Sequence, residues 1–193
     1  DATTNLNHGV PIGGVTSAPD SPFAGERSAA FDGASGAVYM YPPIPNLAND
    51  FTVELWAYRD KQKSQYIFYQ GDSVAVAPLV GIADPNNGAV QFVVRSANNT
   101  LVNLSAGTFL TTNWVHLALV WLAGEKSVRG YVNGVQVGGV TNANANDTTY
   151  SIASFGNFRR LNNNWFGGNI SDLRIWSVAR TPSEIQANYT NRL

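Results

Sequence analysis

The sequence contains no cysteine, one methionine and two histidines. Without cysteine there is no disulfide scaffold, no thiolate nucleophile and no cysteine-ligated zinc. Secretion stays open, because a chain of 193 residues builds a core without covalent staples. Charge is scarce as well: Asp, Glu, Lys and Arg are 13% of the residues and the formal net charge is -1. That balance gives no electrostatic footing for nucleic acid or an anionic membrane surface. No apolar run approaches the roughly 20 residues that a membrane-inserted helix needs, and the opening "DATTNLNHG" carries no signal-peptide pattern. Glutamate occurs only at positions 26, 54, 125 and 184, and none has an acidic residue two or five positions on. A retaining glycoside hydrolase holds two carboxylates about 5 Å apart, and no strand here supplies that pair. Gly-x-Ser-x-Gly, His-Glu-x-x-His and a phosphate-cradling glycine loop are also missing. The expectation is a protein that is not an enzyme.

What is present reads as short strands. Hydrophobic residues make up 44% of the chain, in short segments rich in Val, Ile, Phe, Tyr and Trp and punctuated by Gly, Asn and Pro. This pattern predicts an all-β, two-sheet antiparallel sandwich. "FTVELWAY" (51–58) alternates, with Phe51, Val53, Leu55 and Ala57 on one face and Thr52, Glu54, Trp56 and Tyr58 on the other. "RGYVNGVQVGG" (129–139) sets Asn133-Gly134 between two alternating runs, the signature of a type I′ hairpin turn. Further turns fall at Asp84–Gly88 and Ala123–Lys126, and the run 114–122 is apolar on both faces, as a covered central strand would be. In "TPSEIQANYTNRL", Thr181 is an N-cap, Pro182 suits the first helical position and Glu184 completes a capping box, so one short C-terminal helix ends the chain. No internal repeat or linker interrupts residues 1–193, which read as a single domain.

Four segments, in order, carry a family likeness: "SAAFDGASGAVYMYPPIPNLANDFTVELWAY", "TTNWVHLALVW", "RGYVNGVQVGG" and "FGGNISDLRIWSVARTPSEIQANY". Together they resemble the laminin-G-like branch of the concanavalin A-like lectin/glucanase superfamily, with the pentraxins as distant relatives. The resemblance implies a jelly roll in a secreted or surface protein. It also implies that most of the matching residues are structural. His116 reads as a buried histidine bonded through one ring nitrogen, and Trp114 and Trp121 as core aromatics. Glu54 and Arg174, each mid-strand among apolar residues, read as a cross-strand ion pair beneath Trp56 and Trp176.

Family members often hold calcium, which needs six to eight oxygen ligands. Where pentraxins place an acidic cluster, this chain has Arg159-Arg160, which repels a cation. Asp32, Asp72, Asp84 and Asp172, with the Asn86-Asn87 turn, are the remaining donors for a single structural calcium, and each aspartate also reads as turn-forming or strand-pairing. No cofactor is otherwise required. A glycan site joins an aromatic face to planar polar groups. "NFRRLNNNW" (157–165) supplies Phe158, Arg159, Arg160, Asn162, Asn163, Asn164 and Trp165 in one loop. The bland alternative is a polar surface loop with Trp165 tucked into the core, and the competing surface is the face of Trp56 and Tyr58. Asn-x-Ser/Thr sequons at Asn98, Asn103, Asn146, Asn169 and Asn188 are of the number that chance gives in an Asn-, Ser- and Thr-rich chain. The functional expectation is a noncatalytic extracellular recognition or adhesion module for a glycan or glycoprotein surface. The alternative is a structural decoration or fibre subunit of a virion or cell-surface assembly, whose partners are neighbouring subunits. A hydrolase comes third.

Overall fold

The computed structural model describes residues 8–40, 48–71, 79–95, 100–108, 112–142, 152–159 and 161–191. Two seven-stranded sheets face each other. The first runs, edge to edge, β1 (Gly9–Ile12), β4 (Ala37–Met40), β13 (Ile152–Phe155), β6 (Gln65–Gly71), β7 (Leu79–Asp84), β8 (Ala89–Arg95) and β9 (Leu101–Thr108). The second runs β12 (Val135–Thr141), β11 (Ser127–Val132), β10 (Val115–Leu122), β5 (Phe51–Arg59), β14 (Gly167–Trp176), β3 (Ser28–Asp32) and β2 (Val15–Ala18). Every neighbouring pair is antiparallel. Among the described residues there is one helix, α1 (Pro182–Asn188), which follows β14.

Alternation places the core. Phe51, Val53, Leu55 and Ala57 of β5 are fully buried, in one cluster with Phe68, Ile82, Phe92 and Phe155 of the first sheet. Each large side chain so buried contributes about 1.5–3 kcal/mol. β10 is buried on both faces as its sequence predicts. Leu117, Leu119 and Trp121 join the core, whereas Ala118 and Val120 pack with Tyr131 and Ile185 beneath the helix. Trp114 differs from its expectation. It is half-buried on the outer face beside Tyr58, with ring centroids 5.8 Å apart.

The other face of β5 also needs a cover, and the C-terminal segment provides it. Thr181 Oγ1 accepts from the Glu184 N–H at 3.3 Å and the Thr181 N–H donates to Glu184 Oε2 at 2.8 Å, the reciprocal capping box. Thr52 Oγ1 accepts from the Arg180 N–H at 2.9 Å, which fixes the approach to the helix. Arg180 then crosses the Trp176 ring and its Nη1 reaches Glu54 Oε1 at 2.5 Å. His116 is buried, and its Nε2 lies 3.4 Å from the other Glu54 oxygen. Burial pushes the Glu54 carboxyl up, but its contacts with His116 and Arg180 outweigh this and hold it below its ordinary value of 4.5.

The expected Glu54–Arg174 pair is therefore corrected. The two residues are register partners across β5 and β14, yet Arg174 pairs with Asp172 and with the carbonyls of Asn188 and Asn191. A register shift between Ser171 and Arg174, with Asp172 at φ 47°, brings that aspartate beside the guanidinium. Glu54 is left to a cation arriving from the chain end.

Asn133 and Gly134 have φ of 50° and 78°, as a type I′ turn requires. Asn133 is more than a turn residue: its Oδ1 accepts from the His116 N–H at 3.0 Å. A Cβ at Gly134 would sit 2.5 Å from the Tyr189 ring, which itself lies against Trp56 and His116. Hairpin and helix end thus interlock.

Arg180→Ala leaves Glu54 buried without its cation, and the expected loss is ~3–5 kcal/mol in urea unfolding. Arg174→Ala should cost less than Arg180→Ala, and the reverse order would return the pair to Arg174. Because the folded pKa of Glu54 is lowered, its contribution is complete above pH 4.5 and is lost as pH falls through the folded value. A Glu54→Gln variant should accordingly show a flatter acid limb of stability against pH. Gly134→Ala should lose ~1–2 kcal/mol for its left-handed backbone alone, with displacement of Tyr189 added to that, read as a lower urea midpoint at unchanged slope.

Candidate functional site

The stretch 157–165 leaves β13 at the rim of the first sheet and returns to β14 through a pinned stem. Gly156 N–H donates to the Ile67 carbonyl at 3.0 Å, and Phe166 N–H to the Gly156 carbonyl at 2.7 Å. Phe158 and Asn163 then form an antiparallel bridge, with N–H···O distances of 2.9 and 3.4 Å. The chain turns between them, closed by the Asn162 N–H on the Arg159 carbonyl at 3.1 Å. Asn162 and Asn164 both sit at φ 51°, the left-handed region that asparagine tolerates better than most side chains. Part of the asparagine run is thus backbone chemistry.

The residues of the loop divide by role. Phe158 is an anchor, buried with its ring 5.1 Å from Tyr66 and 4.9 Å from Tyr69 on the outer face of the first sheet. Burial pushes the Tyr66 hydroxyl up against the opposing charge of Arg95, so it stays a neutral phenol beneath that anchor. Asn164 is a second anchor: its Nδ2 donates to Ser64 Oγ at 3.0 Å and its carbonyl accepts from Tyr66 N–H at 2.9 Å. Arg159 sets its guanidinium carbon 3.9 Å from the centre of the Tyr39 ring, and its Nη1 donates to the Ala153 carbonyl at 3.0 Å. Tyr39 Oη reaches Asn162 Oδ1 at 3.5 Å. Asn162 and Asn163 are exposed and Trp165 is half-buried, so the indole is not tucked wholly into the core. Arg160 lies outside the described residues.

The loop therefore carries a guanidinium held on Tyr39, two exposed amides and a half-buried indole, with Phe158 and Asn164 as its anchors. Tyr39, Ser64, Tyr66 and Tyr69 escaped the sequence reading. Alternation in "AVYM" sets Tyr39 opposite Val38 and Met40, but nothing local says that β4 lies beside β13. The competing face is largely covered. Trp56 donates its Nε1–H to the Tyr189 carbonyl at 3.2 Å and meets Phe23 edge-on, and Tyr58 packs against Trp114.

The aspartates offered as calcium ligands have other partners. Asp32 Oδ1 accepts the N–H groups of Ala34, Ser35 and Gly36 at 2.8, 2.9 and 2.8 Å, and hydrogen bonds led by Ser35 hold its carboxyl far below the usual range. Asp84 is buried against Arg59 Nε at 2.5 Å and Gln65 Nε2 at 2.9 Å, while its Oδ1 takes the N–H groups of Asn86 and Gly88. Asp172 pairs with Arg174. Asp72 lies outside the described residues, and among those described no cluster of three His, Cys, Asp or Glu could hold a metal ion. Carboxylates turned to guanidinium groups and backbone N–H donors do not fit a calcium shell.

A laminin-G family model, described as concanavalin A-like lectin/glucanases superfamily, matches residues 32–186. No curated protein matches the chain. Among solved structures, domain 4 of AbnA, an extracellular GH43 arabinanase from Geobacillus stearothermophilus, solved with arabinotriose, has a TM-score of 0.74 at 19% identity, over 97% of this chain and 90% of that one. The binding domain of Paraclostridial Mosquitocidal Protein 1 has a TM-score of 0.73 at 15% identity over 99% of this chain, which spans 48% of its length. The CBM40 domain of the Ruminococcus gnavus IT-sialidase, bound to alpha2,3 sialyllactose, has a TM-score of 0.63 at 14% identity, over 72% of this chain and 82% of that one. At these identities the likeness is one of fold.

The division into anchors and exposed groups is measurable by urea unfolding. Phe158→Ala should cost ~3–5 kcal/mol, as for a buried phenylalanine. Asn163→Ala should stay within about 0.5 kcal/mol of the parent, as for an exposed side chain.

Proposed function

Because this chain belongs to the concanavalin A-like lectin/glucanases superfamily, its matched region running from residue 32 to residue 186, we propose that it is a noncatalytic carbohydrate-binding module that works outside the cell on a glycan or glycoprotein surface. The observation that carries the reading is the Arg159–Tyr39–Asn162 group, in a loop that also carries the half-buried Trp165. A pyranose or furanose ring has an apolar C–H face and a rim of hydroxyls. Trp165 offers the aromatic surface for the first. Arg159, Asn162 and Asn163 offer planar donors and acceptors that take adjacent hydroxyls in pairs. Arg159 is already held by Tyr39 and the Ala153 carbonyl, so little side-chain freedom is left to lose when a ligand arrives. Two of the similar structures were solved with bound saccharides, arabinotriose and sialyllactose. That supports the ligand class and leaves the particular sugar to the loop.

The noncatalytic part of the proposal rests on where the carboxylates are spent. Glu54 is clamped by Arg180, Asp84 by Arg59, Asp172 by Arg174, and Glu184 caps the helix. None of these stands as a free acid opposite a free base, which hydrolysis of a glycosidic bond would need.

A glycan array run in calcium and again in EDTA tests the proposal. Selective, saturable binding is expected, the same in both conditions because the aspartates are committed elsewhere. Trp165→Ala should weaken it about tenfold or more, the worth of one stacked aromatic at ~1–3 kcal/mol. Arg159→Lys keeps the charge but loses the guanidinium contact with the Tyr39 ring, and should weaken binding as well. A folded protein that binds no glycan would sink the reading.

A further inference from the structure

β14 pairs with β3 from Gly167 to Ile170, where Ile170 stands opposite Ala29. The next residues run into the register shift between Ser171 and Arg174, with Asp172 at φ 47°. A regular strand turns every second residue inward. Here Ile170 and Leu173, three positions apart, both pack on the core, because the irregularity inserts the odd residue. Beside this break lies a cavity of about 240 Å³. Its apolar walls are Ala29 and Phe31 of β3, Val38 of β4, Phe155 of β13, and Ile170 and Leu173 of β14, so it opens between the two sheets. Ser171, Asp172 and the exposed Arg27 complete the lining and form its polar mouth.

The size and the charges of this cavity restrict what it can hold. An engineered apolar cavity of about 150 Å³ takes up benzene. The present one is larger, yet it falls short of the roughly 300 Å³ at which pockets for drug-sized ligands begin. One ring or a short acyl chain is the size it admits. At the mouth, Asp172 is paired with Arg174, and the Ser171 hydroxyl shares a hydrogen bond with Ser21 at 3.2 Å. Arg27 donates its Nε–H to the Ser17 hydroxyl at 2.7 Å and an Nη2–H to the Ser17 carbonyl at 3.1 Å. Among the described residues its Nη1 has no partner and no carboxylate forms an ion pair with it. Two bonds to β2 hold the guanidinium in place, so a carboxylate arriving there meets donors that have little freedom left to lose.

We propose that this cavity is a second binding site, separate from the loop 157–165, for a small organic acid. Its ring or acyl chain enters between the sheets and its carboxylate is held by Arg27. A neutral alcohol of the same shape gains a hydrogen bond there but no ion pair, and an amine meets a like charge. Arg27 therefore selects the acid from molecules of equal size.

The test is an NMR titration of the isotope-labelled intact chain with benzoate, hexanoate, benzyl alcohol and benzylamine, followed at the methyl groups of Ala29, Ile170 and Leu173. Both acids should shift these signals saturably. Benzyl alcohol should bind about tenfold more weakly than benzoate, the difference between a neutral and a charge-assisted hydrogen bond, and benzylamine more weakly still. Arg27→Gln, a change at an exposed side chain, should bring benzoate down to the level of benzyl alcohol. Arg129→Gln, on β11 and away from the lining, should leave benzoate binding as it is in the parent. Ala29→Leu fills the cavity from its wall and should block all four probes, its folding checked by urea unfolding. If neither acid produces a saturable shift, the proposal is overturned. It is overturned equally if benzylamine binds as well as benzoate, or if benzoate binds Arg27→Gln as it binds the parent.

Discussion

A glutamate with no solvent exposure in the middle of a central strand sets the terms for the rest of this sandwich. One face of β5 is satisfied by apolar contact with the first sheet, which needs only hydrophobic residues in alternation. The other face carries Glu54, and a buried carboxylate without a cation costs several kcal/mol. Arg180 answers it, and Arg180 arrives only if the chain after β14 folds back across Trp176. The capped helix, Tyr189 over Trp56, and the Asn133–Gly134 turn beneath Tyr189 all follow from that return. An ion pair here contributes less by its own strength than by the penalty attached to every arrangement that lacks it.

The same return decides which surfaces stay open. With much of the outer face of the second sheet covered by the C-terminal segment, the rim of the first sheet keeps exposed planar groups on a fixed base. The base is firm because the loop 157–165 stands next to a second buried charge network. Arg59 on β5 meets Asp84 on β7, and Gln65 at the start of β6 bonds both Asp84 and the Gly167 N–H of β14, tying the sheets together. Ser64 and Tyr66, on either side of that glutamine, hold Asn164. Binding groups on a loop and rigidity from the scaffold beneath it are a common division of labour. The loop rests on β4, β13 and β6, while β9 is the far edge of the same sheet.

The amino-acid sequence by itself determined the antiparallel sandwich, the inward face of β5, the hairpin and the capped helix. Those depend on residues two to four apart: alternation in "FTVELWAY", positive φ at Asn133-Gly134, and the Thr181–Glu184 box. It also marked 157–165 as a loop that gathers cation, amide and indole. Tertiary structure alone decided which partner each buried charge took. Glu54 and Arg174 are opposite in register, and only a left-handed Asp172 and a distant Arg180 part them. It alone decided, too, that Phe158 and Asn164 anchor the loop while Arg159 sits over Tyr39, a residue more than a hundred positions earlier in the chain. The physical reason is range. Backbone preference and burial periodicity are local and are written in short windows of sequence. The pairing of charges and the stacking of rings depend on which strands become neighbours, and in an antiparallel sandwich those neighbours come from opposite ends of the chain.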